Sequence, residues 1–199
     1  MDDRTTITVP EGAVLTQITE PARPGLARVL VKVQATGREL GGFETFTDPT
    51  TGAERFLTHW KVIYPTEDPR LDPGTARVEL TDHQRRGITR HIIRNAIGQE
   101  LGGTEYFLKG TPEELTLATW TVRQGTGAER GQTFVTLTDR LRLGVTREIT
   151  RNVLGQETQV QEFFEGTLIS ETVALTYQPD GNSTVRWLER ARPGFAREV

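Results

Sequence analysis

The chain has no cysteine, a single methionine and an aromatic share of only 7%, and each scarcity closes off a class of protein. Without cysteine there is no disulfide framework, no thiolate metal site and no thiol nucleophile. No run approaches the ~18 consecutive apolar residues that read as a membrane-spanning helix. The opening MDDRTTITVPEG lacks both a basic stretch and an apolar one, which predicts a chain made in the cytoplasm without a Sec signal peptide. An excess of either charge is also missing. A net charge of −3 with 26% charged residues argues against a nucleic-acid partner held by counterion release.

The usual catalytic and ligand-binding motifs are absent as well. His59, His83 and His91 show no spacing of the HExxH kind, and the oxygen-rich TDPTTG (47–52) and PDGNS (179–183) lack the spacing of an EF-hand loop. The sequence has no GxSxG, no Walker A and no dinucleotide fingerprint. It therefore predicts a protein that is not an enzyme and that has no cofactor, no metal site and no membrane partner.

What the chain does contain is a phrase written twice. Residues 86–100 read RGITRHIIRNAIGQE and residues 143–157 read LGVTREITRNVLGQE. Gly87 and Gly144, Asn95 and Asn152, and Gln99 and Gln156 each stand 57 residues apart without a gap. A more diverged copy begins PGLARVLVKVQATGRELGGFETF, with a hairpin one residue longer, and the C-terminal ARPGFAREV opens like ARPGLARVL of residues 22–30. Self-similarity at a fixed period governs the architecture. It predicts an N-terminal strand or arm over 1–24, copies over 25–86, 87–143 and 144–193, and the start of a fourth copy over 194–199.

Within a copy, segments rich in Val, Ile, Thr, Phe, Tyr and Trp alternate with turn chemistry, the pattern of antiparallel strands. The middle copy predicts strands near 87–94, 99–108, 115–123 and 133–139. The expected fold is all-β and antiparallel: about three tandem copies of a four-stranded, 57-residue repeat, elongated or pseudo-threefold. Asn95-Ala96-Ile97-Gly98 fits a type I turn closed by glycine, hence a three-residue hairpin with a G1 bulge. That register sets Arg94 across from Glu100 and Arg151 across from Glu157, two predicted cross-strand ion pairs.

The first strand of each copy alternates apolar and basic residues on one face: Leu26-Arg28-Leu30-Lys32, Ile88-Arg90-Ile92-Arg94 and Val145-Arg147-Ile149-Arg151. The stems are expected to cover apolar neighbours while the heads pair with repeated acids such as Glu100 and Glu105; the alternative is a basic ladder for an anionic polymer or phosphate. Trp60, Trp120 and Tyr177 fall at comparable places in the third strands and read as core plugs. The alternative use of these three aromatics is a platform for stacking a glycan. The paired glycines at 41–42 and 102–103 predict a bulge or the close approach of another backbone.

The run GITRHIIRNAIGQEL resembles the YD or Rhs repeat, whose strands also pass from Thr-Arg through a Gly-bearing turn. Arg94-Asn95 and Arg151-Asn152 stand where that repeat has Tyr-Asp, and the 57-residue period is much longer. The resemblance is one of hairpin grammar and transfers no functional residue.

Both ends carry strand-like fragments of the repeat, which predicts strand addition between copies. The residues expected to make that subunit contact are Val14, Leu15 and Ile18 at one end and Phe195, Arg197 and Val199 at the other. The functional expectation is a self-associating structural subunit of a larger assembly, with itself and other subunits as partners. By architecture this points to a virion component such as a tail, fibre or capsid decoration, or to another extracellular assembly. The second expectation is a module that binds a glycan or another surface polymer.

Overall fold

The computed structural model describes residues 9–19, 24–177, 183–190 and 196–198. Fourteen strands form one antiparallel sheet: β1 (Ala13–Thr19), β2 (Leu26–Val33), β3 (Glu39–Thr47), β4 (Glu54–Ile63), β5 (Thr75–Asp82), β6 (Ile88–Asn95), β7 (Glu100–Phe107), β8 (Leu115–Gln124), β9 (Thr133–Asp139), β10 (Val145–Arg151), β11 (Glu157–Phe164), β12 (Thr167–Tyr177), β13 (Ser183–Glu189) and β14 (Ala196–Glu198). Each strand pairs with its neighbours in sequence, so every connection is a hairpin or a short loop. Among the described residues the sole helix is one 3-10 turn, Gly127–Glu129. The sheet is open, because no pairing among those residues joins β1 to β14.

The hairpin geometry follows from local chemistry. Asn95 Oδ1 accepts hydrogen bonds from the amides of Ile97 (3.1 Å) and Gln99 (2.9 Å), and the Gly98 amide donates to the Asn95 carbonyl at 2.9 Å. Gly98 has φ +83°, which a side chain would disfavour. Asn152 and Gly155 repeat this arrangement, with φ +76° at the glycine. A second geometry recurs at Gly25, Gly87 and Gly144. Each has positive φ, and its carbonyl accepts from the amide of Thr47, Leu108 or Glu165, at the far end of the second strand of its hairpin. The rings of Phe46, Phe107 and Phe164 lie 3.0–3.2 Å from where a Cβ on that glycine would sit. Gly and Phe therefore recur together because each ring occupies the space that the glycine leaves.

The core is a strip along one face. Val62 pairs with Val78, Val78 with Ile92, Ile92 with Gly103, Gly103 with Trp120 and Trp120 with Leu137, a single row across six strands. Trp60, Val62, Ala76 and Val78 form one buried cluster, with Leu30, Tyr64, Leu80 and Ile92 packed against it. Val135, Ile149 and Val160 form another, packed by Trp120, Val122 and Trp187. Val78 is 1% exposed. The paired glycines admit the tryptophans: a Cβ on Gly42 would stand 2.5 Å from the Trp60 ring, and one on Gly103 the same distance from Trp120.

The third aromatic departs from the expected pattern. The β7–β8 connection runs from Phe107 to Leu115, whereas β11 and β12 turn directly from Phe164 to Thr167. That tight turn is made by Glu165 and Gly166, both with positive φ, as a type I′ hairpin requires. The shorter turn moves β12 along its neighbour, so Thr172 stands beside Val160 where Trp120 stands beside Gly103. The Thr172 hydroxyl accepts from the Val160 amide at 2.9 Å. Tyr177 is displaced to the end of β12, where it is 37% exposed, and it is not a core plug. Trp187 packs on the second cluster instead.

Candidate functional site

The residues assigned to subunit contact divide by position. β1 pairs with β2 from Ala13↔Val33 to Thr19↔Ala27, and no other described strand pairs with it. Among the described residues its outer edge therefore presents backbone donors and acceptors that no strand pairs. Leu15 is 54% exposed, Ile18 42% and Val14 37%. Arg197 lies in β14 opposite Trp187. Phe195 and Val199 lie outside the described residues.

The expected register holds at both hairpins, with Arg94 opposite Glu100 and Arg151 opposite Glu157. Arg151 approaches Glu157 to 3.8 Å and Glu100 to 4.0 Å. Glu100 accepts a hydrogen bond from Trp120 Nε1, and among the described residues Arg94 makes no ion pair. The stronger charge contacts lie one turn further along the sheet. Arg90 Nε donates to Glu105 at 2.7 Å, and Arg85 reaches both Glu105 (2.7 Å) and Asp82 (2.9 Å). Arg147, Arg142, Glu162 and Asp139 repeat the set at 2.8, 2.9 and 2.8 Å, and Arg28 with Glu44 supplies the corresponding pair at 2.7 Å.

Arg85 and Arg142 escaped the sequence reading, yet each sits three residues after an Asp whose carboxylate caps the turn. That Asp-x-x-Arg-x-Gly spacing was a usable signal. A double-mutant cycle on Arg147 and Glu162 is expected to show coupling of about 1 kcal/mol, since both arginines stand partly in water. Zero coupling would mean that the contact contributes nothing beyond packing.

These acids set the response to pH. Glu105 and Glu162 are held below the usual carboxylate range by arginine hydrogen bonds that outweigh the opposing effect of burial, and so are Asp82 and Asp139, with turn amides assisting. A carboxylate with a depressed folded pKa stabilises the fold above its unfolded value and loses that contribution as pH falls through the folded one. His59 and His91 are kept neutral chiefly by burial. An unfolded imidazole takes up its proton near 6.5, so both histidines also disfavour the fold below that pH. The urea midpoint is expected to fall from pH 7 to 5 and more steeply below about 4.5. A midpoint flat from pH 7 to 3 would contradict both contributions.

Trp60 is 9% exposed and donates from Nε1 to Glu39 at 2.6 Å; Trp120 is half-buried and bonds Glu100 in the same way. Both rings are engaged in packing and in a carboxylate bond. The hydroxyl of Tyr177 accepts from the Glu157 amide at 2.8 Å. A cleft of about 620 Å³ opens between residues 64–76 and the hairpin tip at 94–98, and is lined by Val62, Tyr64, Val78, Arg38 and Arg94. Tyr64 donates to the Glu39 carbonyl at 2.9 Å, and the Arg38 guanidinium lies 4.4 Å above its ring.

On the opposite face of the sheet, His59 Nδ1 lies 2.7 Å from His83 Nε2. This pair was not legible in the sequence, because His59 lies in β4 and His83 just past the end of β5, and only the β4–β5 register joins them. Among the described residues no group of three or more His, Cys, Asp or Glu is placed to hold a metal. No protein-family model matches the chain, and a search of curated proteins returns no match.

Proposed function

We propose that this chain is a non-enzymatic, self-associating structural subunit that extends its sheet by strand addition. The observation that carries the reading is the outer edge of β1, with Val14, Leu15 and Ile18 exposed on a strand that no other described strand but β2 pairs. A protein that stays monomeric usually blunts such an edge with charge, proline or a covering loop. β1 carries no charged residue between Ala13 and Thr19. The finer reading is three tandem four-stranded copies stacked in line, supported by the recurrence of the Gly25, Gly87 and Gly144 geometry and by the paired Arg–Glu contacts. A sheet in chain order favours in-line stacking over pseudo-threefold closure. A virion tail, fibre or capsid decoration is the specific assembly we put forward, by analogy of architecture.

Light scattering coupled to size exclusion on the full chain tests the reading. A mass above 22.3 kDa that rises with concentration is expected. A monomer at every concentration would overturn self-association.

A further inference from the structure

We infer that His59 and His83 form a binding site for a divalent late transition-metal ion, with Cu²⁺ preferred. His59 pairs with Thr81 across β4 and β5, and His83 follows two residues beyond Thr81. The two imidazoles therefore project from the same face in diagonal cross-strand positions. Their ring centroids are 4.9 Å apart. The backbone fixes this placement, since the His83 amide donates to the Leu57 carbonyl at 2.9 Å. Phe56 meets the His83 ring edge-on at 4.9 Å, and Phe43 stacks on Phe56 at 5.8 Å, which walls one side of the pair.

Two imidazole nitrogens at 2.7 Å share one proton, the N–H of one ring facing the lone pair of the other. An ion in place of that proton needs metal–nitrogen bonds of about 2.0–2.1 Å, which at a right angle sets the nitrogens about 2.9 Å apart. The nitrogens need to part by only a few tenths of an ångström, the rings also have to turn so that both lone pairs meet at the ion, and His83 is exposed enough to do so. Imidazole donors suit Cu²⁺, Ni²⁺ and Zn²⁺, with Cu²⁺ the tightest. Without a third protein donor among the described residues, the remaining positions go to water or to a donor from outside, as in an open site rather than a closed structural one.

The test is a titration of the full chain with Cu²⁺ in a non-coordinating buffer, read by electron paramagnetic resonance and by the melting temperature. One equivalent is expected to bind with hyperfine splitting from two nitrogens and to raise the melting temperature as metal is added. His83→Asn, which keeps a polar side chain beside Phe56, is expected to remove one nitrogen from the spectrum and weaken binding at least about tenfold. His91→Asn leaves binding unchanged, because His91 faces Glu79 at 3.6 Å instead. The spectrum of the unaltered chain tests the inference even where a variant fails to fold. A spectrum without two nitrogens, or equal binding by the native chain and His83→Asn, would overturn it.

Discussion

Trp60→Ala is expected to lower the free energy of unfolding by about 3–5 kcal/mol, the range for truncating a large aromatic in a core. The ring belongs to the cluster of Val62, Ala76 and Val78 and lies over Gly42, whose missing side chain gives it room. A strip built on one face of a sheet has little freedom to collapse into the space left behind, so the cavity contribution persists. Two further substitutions separate the causes. Trp60→Phe keeps most of the buried area but leaves the half-buried Glu39 carboxylate without its indole donor, an expected cost of about 1.5–3 kcal/mol for a charge-assisted bond. Gly42→Val fills the same space from the other side and meets both the ring and the Val29 carbonyl, so it is expected to cost about 1–3 kcal/mol by overpacking. Urea unfolding followed by fluorescence of the remaining tryptophans measures all three. Should Trp60→Ala cost less than about 1 kcal/mol, the ring is not a core element and its burial contributes little.

Features settled by neighbouring residues were legible in the sequence, and features settled by register were not. Asn95 and Gly98 disclose their hairpin because the Asn side chain bonds amides two and four residues ahead and the glycine accepts positive φ. Strands β6 to β9 lie within about two residues of their expected bounds, since period-two alternation is a property of each segment alone. Tyr177 shows where this stops. Its offset from Trp120 matches the period, but the two-residue turn at Glu165–Gly166 slides β12 and carries the tyrosine off the core strip. Composition compensates at the vacated place: Val160 and Thr172 stand where Gly103 and Trp120 stand, a larger residue with a smaller one. Arg94 and Glu100 met in the expected register, yet the indole of Trp120 took the carboxylate, a competitor that arrives from another hairpin. The His59–His83 pair depends on long-range pairing in the same way, its members standing 24 positions apart.

If strand addition builds the assembly, charge placed on the outer edge of β1 must disperse it. Leu15→Lys combined with Ile18→Lys is expected to weaken self-association by about 10²–10⁴-fold, the equivalent of about 3–6 kcal/mol for keeping two large aliphatic side chains in water. The two side chains lie on opposite faces of the strand, so the pair of lysines meets a partner whichever face it packs against. Both positions are exposed in the single chain, and surface substitutions of this kind usually alter folding by less than about 0.5 kcal/mol. At concentrations low enough to dissociate the native chain the urea midpoints of the two should therefore match, while at higher concentration the variant sediments as the monomer. Deletion of residues 1–20 should have the same effect on assembly and leave the central strands folded, because β5 to β9 pair without β1. A variant that assembles as the native chain does would move the contact away from this edge. The Arg-bearing face is then the surface to examine, where the guanidinium groups of Arg85 and Arg142 are already committed to Glu105 and Glu162. An interface there would have to exchange those partners, and would weaken with added salt as the β1 edge would not.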